Sequence, residues 1–494
     1  MLSVTPESRG IPSAAIEAYL RLLEANHLAT HDVIIARGDS VVFEHYWKPF
    51  ERDFIHRMYS VTKSFVAIAV GFALQDGLLS LDDPMDKYFH AELEGQTDDN
   101  QRYQTVRDMM MMSTAKSSQN WFAARSDDRV RFYFQNPDPR TRKPGTKFEY
   151  DSTGTFVIGA LVERLTGKTL MAYLWEKLFR HLGISESAKF LTCPGGHSWS
   201  DSALIMRPCD LLLVARFLMN GGCWNGEQLL DAEFVRTATA RLIPTRAAEG
   251  IGIEGQGYGY YIWKAYGEGF FFNGMGCQLA LCVPEKDMIL IYNGDNQGRG
   301  DAKNIVLDGF YQLVVSSAGE PLPADPDANR ALEDYAAPLK LAVEQGNTDS
   351  PIAPLVNHRW YRLDPNPMGI TRLCVTFGEP CTVEYVNAQG EKCVCFGMGE
   401  NRSGEFPQEG YSDLVGSQPG KRLYRCAVSA AWKSENELRI KTQIIDDYFG
   451  NMTARLTFAA GGLRMHLAMT KTAEDFLDEY WGEADGSAEP PIYF

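Results

Sequence analysis

A serine three residues ahead of a lysine is the clearest chemistry-bearing pattern in this chain, and it occurs at Ser60-Val61-Thr62-Lys63 and at Ser113-Thr114-Ala115-Lys116. A hydroxyl is a weak nucleophile that needs a base beside it. A lysine can be that base only when uncharged, a form favoured by burial or by nearby positive charge. Residues three apart on a helix share a face, which brings the amine to the hydroxyl. Context separates the two matches. Ser60 leads directly into residues 65–74, apolar on every face, as in a central buried helix. The start of such a helix adds positive potential that disfavours an ammonium. After Lys116, Ser117-Ser118-Gln119-Asn120 reads on as loop. The plain alternative for Ser60 and Lys63 is a helix cap beside a surface lysine.

Other patterns carry less. Gly250-Ile251-Gly252-Ile253-Glu254-Gly255 fits the letters of a dinucleotide fingerprint, but a short loop precedes it and a strand-like segment follows it. A pyrophosphate site needs the reverse, a strand before and a helix N-terminus after. There is no G-x-S-x-G elbow and no H-E-x-x-H pair, and the nine histidines are scattered. The ten cysteines include no C-x-x-C pair; Cys393 and Cys395 alternate as on one strand. Reduced cysteines, no metal and no cofactor are the expectation.

The text around Ser60 resembles a known superfamily. Tyr59 to Phe65, followed by Gln75-Asp76-Gly77-Leu78-Leu79-Ser80-Leu81-Asp82-Asp83-Pro84, is similar to the signature block of the serine β-lactamases and penicillin-binding proteins. The likeness is greatest to the class C-like branch with its intracellular esterases and nylon-oligomer hydrolases. Further blocks follow in family order: Thr105-Val106-Arg107-Asp108, then Pro144-Gly145-Thr146-Lys147-Phe148-Glu149-Tyr150-Asp151-Ser152, then Asn220 to Gly226. The resemblance implies Ser60 as acylated nucleophile, Lys63 as its proton acceptor and Tyr150 as the phenol that shuttles the proton to the leaving group. Ser152, in place of the usual Asn, would bond Lys63 or substrate. The third family motif falls at Phe272-Asn273-Gly274. Gly274 would let a ligand approach the backbone, and the N–H groups of Ser60 and Met275 would form the oxyanion hole. Two departures stand out: Phe272 replaces the family's cation, and Ala115 a glycine. An apolar ring at 272 weakens the case for β-lactams and favours neutral esters or amides. Trp121, Phe122, Tyr258, Tyr260 and Tyr261 are candidate pocket aromatics, with ordinary core as the alternative.

These residues need elements to position them. Residues 12–28 show helical spacing, and 33–36 and 41–43 read as a hairpin. Residues 59–223 are mostly helical. Strands are expected at 258–263, 270–273, 278–283 and 288–292, then a helix over 302–315. The implied fold is α+β: a β-lactamase-like antiparallel sheet flanked by helices, with a helical subdomain, over residues 1–318. Residues 319–355 read as a proline-rich linker with one bridging helix at 331–343. Residues 356–494 alternate as short strands (373–377, 382–386, 438–444 and 452–458 among them) of an all-β barrel or sandwich. Their end, 473–490, is acidic without a Lys or Arg and is expected to be partly disordered.

At 494 residues the chain exceeds one ordinary core, and 45% hydrophobic with 23% charged residues is a globular balance. A net charge of −16 argues against nucleic acid and anionic membrane surfaces as partners. The N-terminus lacks a signal-peptide pattern, which points to the cytoplasm. The function expected is a serine hydrolase acting through an acyl-enzyme on small-molecule esters or amides; self-association is compatible with the sequence. The alternatives are a penicillin-recognising enzyme (a weak β-lactamase or D-aminopeptidase) and a catalytically silent binding protein on the same fold.

Overall fold

The computed structural model describes residues 1–116, 121, 126–135, 142–193, 195–245, 252–407, 423–447, 449–472 and 480–490. It divides into two compact units, the first Met1–Lys340 and the second beginning at Leu341. In the first, seven strands form one sheet: β1 (Leu2–Ser3), β2 (Thr30–Arg37), β3 (Ser40–Tyr46), β4 (Trp263–Lys264), β5 (Phe270–Gly274), β6 (Gln278–Val283) and β7 (Met288–Gly294). Their order is β1-β3-β2-β7-β6-β5-β4, antiparallel except for β1 against β3. The N-terminal hairpin thus joins strands some 250 residues later, with Ile34 opposite Ile291 and Ile35 opposite Leu290.

The helices that matter for the site are α1 (Ser13–Ala25), α2 (Thr62–Gln75), α3 (Ser152–Thr166), α4 (Pro208–Met219), α5 (Ala302–Phe310) and α6 (Pro326–Ala336). One sheet face, through Val33, Ile35, Leu281 and Leu290, packs with Leu20 and Leu23 of α1 and Leu307 and Phe310 of α5. On the other face the Cys282 thiol donates to the Ala215 carbonyl of α4. Cover on both faces explains why β6 and β7 read as unbroken apolar runs rather than alternating ones. Helix α2 lies inside for all but its last two residues: every residue from Thr62 to Ala73 is buried, as its all-round apolar text requires. Among the described residues, no helix is long and apolar enough to cross a membrane.

Three local expectations are corrected. Residues 258–263 are not a strand; Tyr258 forms isolated bridges to Ile243 and Trp263, and the chain turns at Tyr261, whose φ is +54°. The turn fits tightly, since a Cβ on Gly259 would meet the Ala238 carbonyl oxygen at 2.0 Å. The helix expected at 331–343 runs instead from Pro326 to Ala336 and packs on α1. Asp325 caps it by accepting from the Ala328 N–H, proline suits its first turn, and Pro338 cannot extend it. The third correction concerns the acidic end. Residues 473–479 lie outside the described residues, but Gly482–Ala488 is a strand. Glu483, Asp485 and Ser487 face outward there, while Ala484 and Gly486 turn inward.

The second unit is a closed barrel rather than a sandwich. Its strands are β8 (Arg359–Leu363), β9 (Arg372–Thr376), β10 (Cys381–Asn387), β11 (Gly390–Met398), β12 (Arg402–Phe406), β13 (Tyr424–Trp432), β14 (Glu437–Ile444), β15 (Asn451–Phe458), β16 (Arg464–Lys471) and β17 (Gly482–Ala488). The order β11-β10-β9-β8-β17-β16-β15-β14-β13 closes where β11 pairs with β13 in parallel, Gly397 opposite Ser429; β12 also pairs with β13. Closure leaves nine strands without an open edge. The fold is therefore α+β with a C-terminal barrel.

Strand β17 joins β8 to β16. Truncation before Gly482 is expected to open the barrel and expose two strand edges. Scanning calorimetry should show loss of a cooperative transition, and light scattering should show aggregation.

Candidate active site

The site begins at a turn. The strand pair His56–Arg57 with Leu204–Met206 delivers the chain to Met58, whose N–H donates to the Leu204 carbonyl at 2.8 Å. Tyr59 then takes a left-handed φ of +44°, uncommon for a bulky side chain and worth about 1–3 kcal/mol of strain. That bend sets Ser60 at the mouth of α2. Lys63 follows one helical turn later and is only 1% exposed. Its Nζ donates to Ser60 Oγ at 2.9 Å and to the Asp201 carbonyl oxygen at 2.7 Å. Among the described residues no side chain caps α2, and the Ser60 hydroxyl accepts from the amine instead. The Asp201 carboxyl is fully buried; burial raises its pKa, while Lys63 and Arg57 pull it down.

Tyr150 approaches from the start of α3. Asp151 caps that helix, accepting from the Thr153 N–H at 3.0 Å and the Thr114 hydroxyl at 3.1 Å, while the Glu149 N–H is held by the Met112 carbonyl. The ring so placed lies 5.1 Å from Lys63 Nζ and is 38% exposed. It stacks on Trp263 at 6.0 Å and 24°.

The opposite wall is the end of β5, pressed against the Ser60 turn. A Cβ on Gly274 would stand 2.4 Å from the Met58 carbonyl oxygen, so only glycine permits this approach. Between these walls lies a cavity of about 740 Å³, lined by Ser60, Tyr150, Trp263, Asn273, Gly274 and Met275 among others. Met275 is 45% exposed at its rim. Cys277 also lines it, but burial pushes its thiol up to about 12, which leaves it protonated and a poor nucleophile.

Of the residues expected from the sequence, the fold brings together Ser60, Lys63, Tyr150, Asn273, Gly274 and Met275. It does not bring in the others. Ser152 opens α3 half-buried, away from the cavity lining. Phe272 points to the opposite side of β5 from Asn273 and is fully buried, near Phe270. Trp121 is a core residue against Phe156, with the Arg129 guanidinium over its ring. Tyr258 is buried edge-on to Trp263, and burial raises its phenol well above the usual range. Tyr260 and Tyr261 are buried as well. Phe122 lies outside the described residues, as do Gly250 and Ile251 of the glycine-rich segment; its remainder forms a short 3-10 turn, Ile253–Gln256, with no helix after it. In the second S-x-x-K match the Ser113 hydroxyl donates to the Asp108 carbonyl at 3.0 Å.

Sequence reasoning missed Trp263, Glu254, Lys303 and Asp201. Trp263 had a usable signal, since it lies two residues on from Tyr261 in an aromatic cluster. The other three reach the site only through long-range folding.

A model of the Beta-lactamase family matches residues 5–309, and the chain belongs to that family. Over 229 residues it is 26% identical to the 6-aminohexanoate-dimer hydrolase of Paenarthrobacter ureafaciens, covering 43% of this chain and 57% of that protein. Over 178 residues it is 28% identical to the lovastatin esterase of Penicillium rubens, covering 31% of this chain and 44% of that one. The chain thus spans about half the length of the curated relatives it matches. A solved structure of a Bacteroides dorei protein assigned to the beta-lactamases superposes with a TM-score of 0.50 at 18% identity, over 60% of this chain and 97% of that one. This last likeness concerns the fold.

The close fit of β5 against the Ser60 turn can be tested directly. Gly274→Ala is expected to destabilise the protein by about 1–3 kcal/mol through overpacking. Urea unfolding of the two proteins side by side measures it.

Proposed function

We propose that the protein is a serine hydrolase that cleaves small-molecule esters or amides through an acyl-enzyme on Ser60. The observation that carries this reading is the 2.9 Å contact between Lys63 Nζ and Ser60 Oγ at the edge of an open cavity. Lys63 accepts the Ser60 proton as Oγ attacks the substrate carbonyl. The N–H groups of Ser60 and Met275 stabilise the developing oxyanion, a contribution of about 3–4 kcal/mol per donor in enzymes of this design. Tyr150 passes the proton on to the departing alkoxide or amine, whose bond to the carbonyl carbon then breaks. Water, deprotonated by the same Lys63 and Tyr150, next attacks the Ser60 ester, releasing the acid and restoring the hydroxyl. Support also comes from membership of the Beta-lactamase family and from hydrolases among the relatives.

A serine-reactive phosphonate followed by intact mass spectrometry tests the nucleophile. Wild type is expected to gain one adduct and Ser60→Ala none; no adduct on wild type would remove the reading in favour of a silent binding protein. With a chromogenic short-chain ester, Lys63→Ala and Tyr150→Phe are each expected to lower kcat by about 10²–10⁴-fold. Because the three groups act as a unit, Lys63→Ala combined with Ser60→Ala should cost little more than Ser60→Ala alone.

A further inference from the structure

The lining of the same cavity also holds an ionic cluster that the hydrolytic steps do not use. Glu254, from the turn before β4, and Lys303, at the start of α5, both line it. Glu254 Oε1 accepts from Lys303 Nζ at 2.5 Å and from Asn273 Nδ2 at 3.0 Å. The side chains of Glu254 and Lys303 are 39% and 24% exposed, so a ligand in the cavity meets them. Among the described residues of the lining the other cation, Arg299, is committed elsewhere: Nε and Nη2 bond the Asp301 carboxylate and Nη1 the Asn26 carbonyl.

We infer that Glu254 is a specificity-determining residue that keeps Lys303 from receiving a substrate carboxylate, so that the enzyme selects acyl substrates that are neutral at their far end. This rests on the serine hydrolase reading above. A carboxylate entering the cavity meets a lysine already paired and a like charge beside it. It gives up water for contact with a pair that carries no net charge, the like charge of Glu254 offsetting what Lys303 offers, the arrangement by which a site rejects the wrong ligand. A neutral amide or hydroxyl suits the cluster better, because Glu254 Oε2 can accept from it and the remaining Lys303 N–H groups can donate to it. Asn273 belongs to the same cluster and sits one residue before Gly274. Far-end recognition is thereby tied to the strand that closes on Ser60.

The test compares kcat/KM for the mono-4-nitrophenyl ester of adipic acid with that for its primary-amide counterpart, which differ only in far-end charge. Wild type is expected to favour the amide at least about tenfold. In Glu254→Gln, which keeps shape but removes the competing charge, the acid-to-amide ratio should rise about tenfold, chiefly through KM. In Glu254→Gln with Lys303→Met it should fall back to the wild-type ratio. An unchanged ratio in Glu254→Gln, or a rise that survives loss of Lys303, would overturn the inference. Equal use of both esters by wild type would overturn it while leaving the serine hydrolase reading intact. Failure to cleave either ester, together with no phosphonate adduct, would overturn both.

Discussion

One nitrogen atom organises this protein. Lys63 Nζ sits almost out of reach of solvent, between a serine hydroxyl and the backbone carbonyl of a residue 138 positions away. A buried amine must find hydrogen-bond partners or cost several kcal/mol, and the surrounding structure supplies them. Helix α2 is enclosed from Thr62 to Ala73, which keeps water from the amine. The left-handed bend at Tyr59 turns the Ser60 hydroxyl back towards it, and the loop through Asp201 is held by the Arg57 bond to the Ser202 carbonyl at 3.0 Å. Disturbing any of these changes the environment of the same atom.

The cavity beside that nitrogen is shaped by close approach rather than by large side chains. Gly274 permits the strand end to touch the Ser60 turn, and Trp263 gives Tyr150 a flat surface to rest on. One wall comes from the helical elements that carry Ser60 and Tyr150 and the other from the end of β5, so the opening depends on how helices and sheet pack together. The charged residues beyond Asn273 are paired with one another, which gives that part of the cavity a polar but internally balanced surface.

The second unit solves a different physical problem. Short strands with one apolar face would leave exposed backbone edges if they stopped as an open sheet, and the return of β11 to β13 removes those edges. The acidic segment at the C-terminus takes part because its charges alternate with small residues. Carboxylates such as Asp485 face outward, where His466 lies 2.8 Å away, and Ala484 turns inward. Net charge along a segment argues for solvation, but it says nothing of which face each charge occupies.

Local text was enough for several conclusions. The apolar run after Ser60 implied a buried helix, and three-residue spacing put Lys63 beside the hydroxyl. Ordered blocks of similarity pointed to the family, the α+β class and the place of Tyr150. These are readable because helical period, turn residues and motif order are properties of neighbours in the chain. The aromatic residues were read less well: Trp121 and Tyr258 belong to the core and Trp263 to the cavity. Hydrophobic and aromatic letters look alike whether they meet a neighbour or a cavity. Asp201, Glu254 and Lys303 could be placed only by tertiary structure. Each acts through a partner 19 to 138 residues distant, and which distant groups meet depends on how sheet and helices close, not on any pattern within one segment.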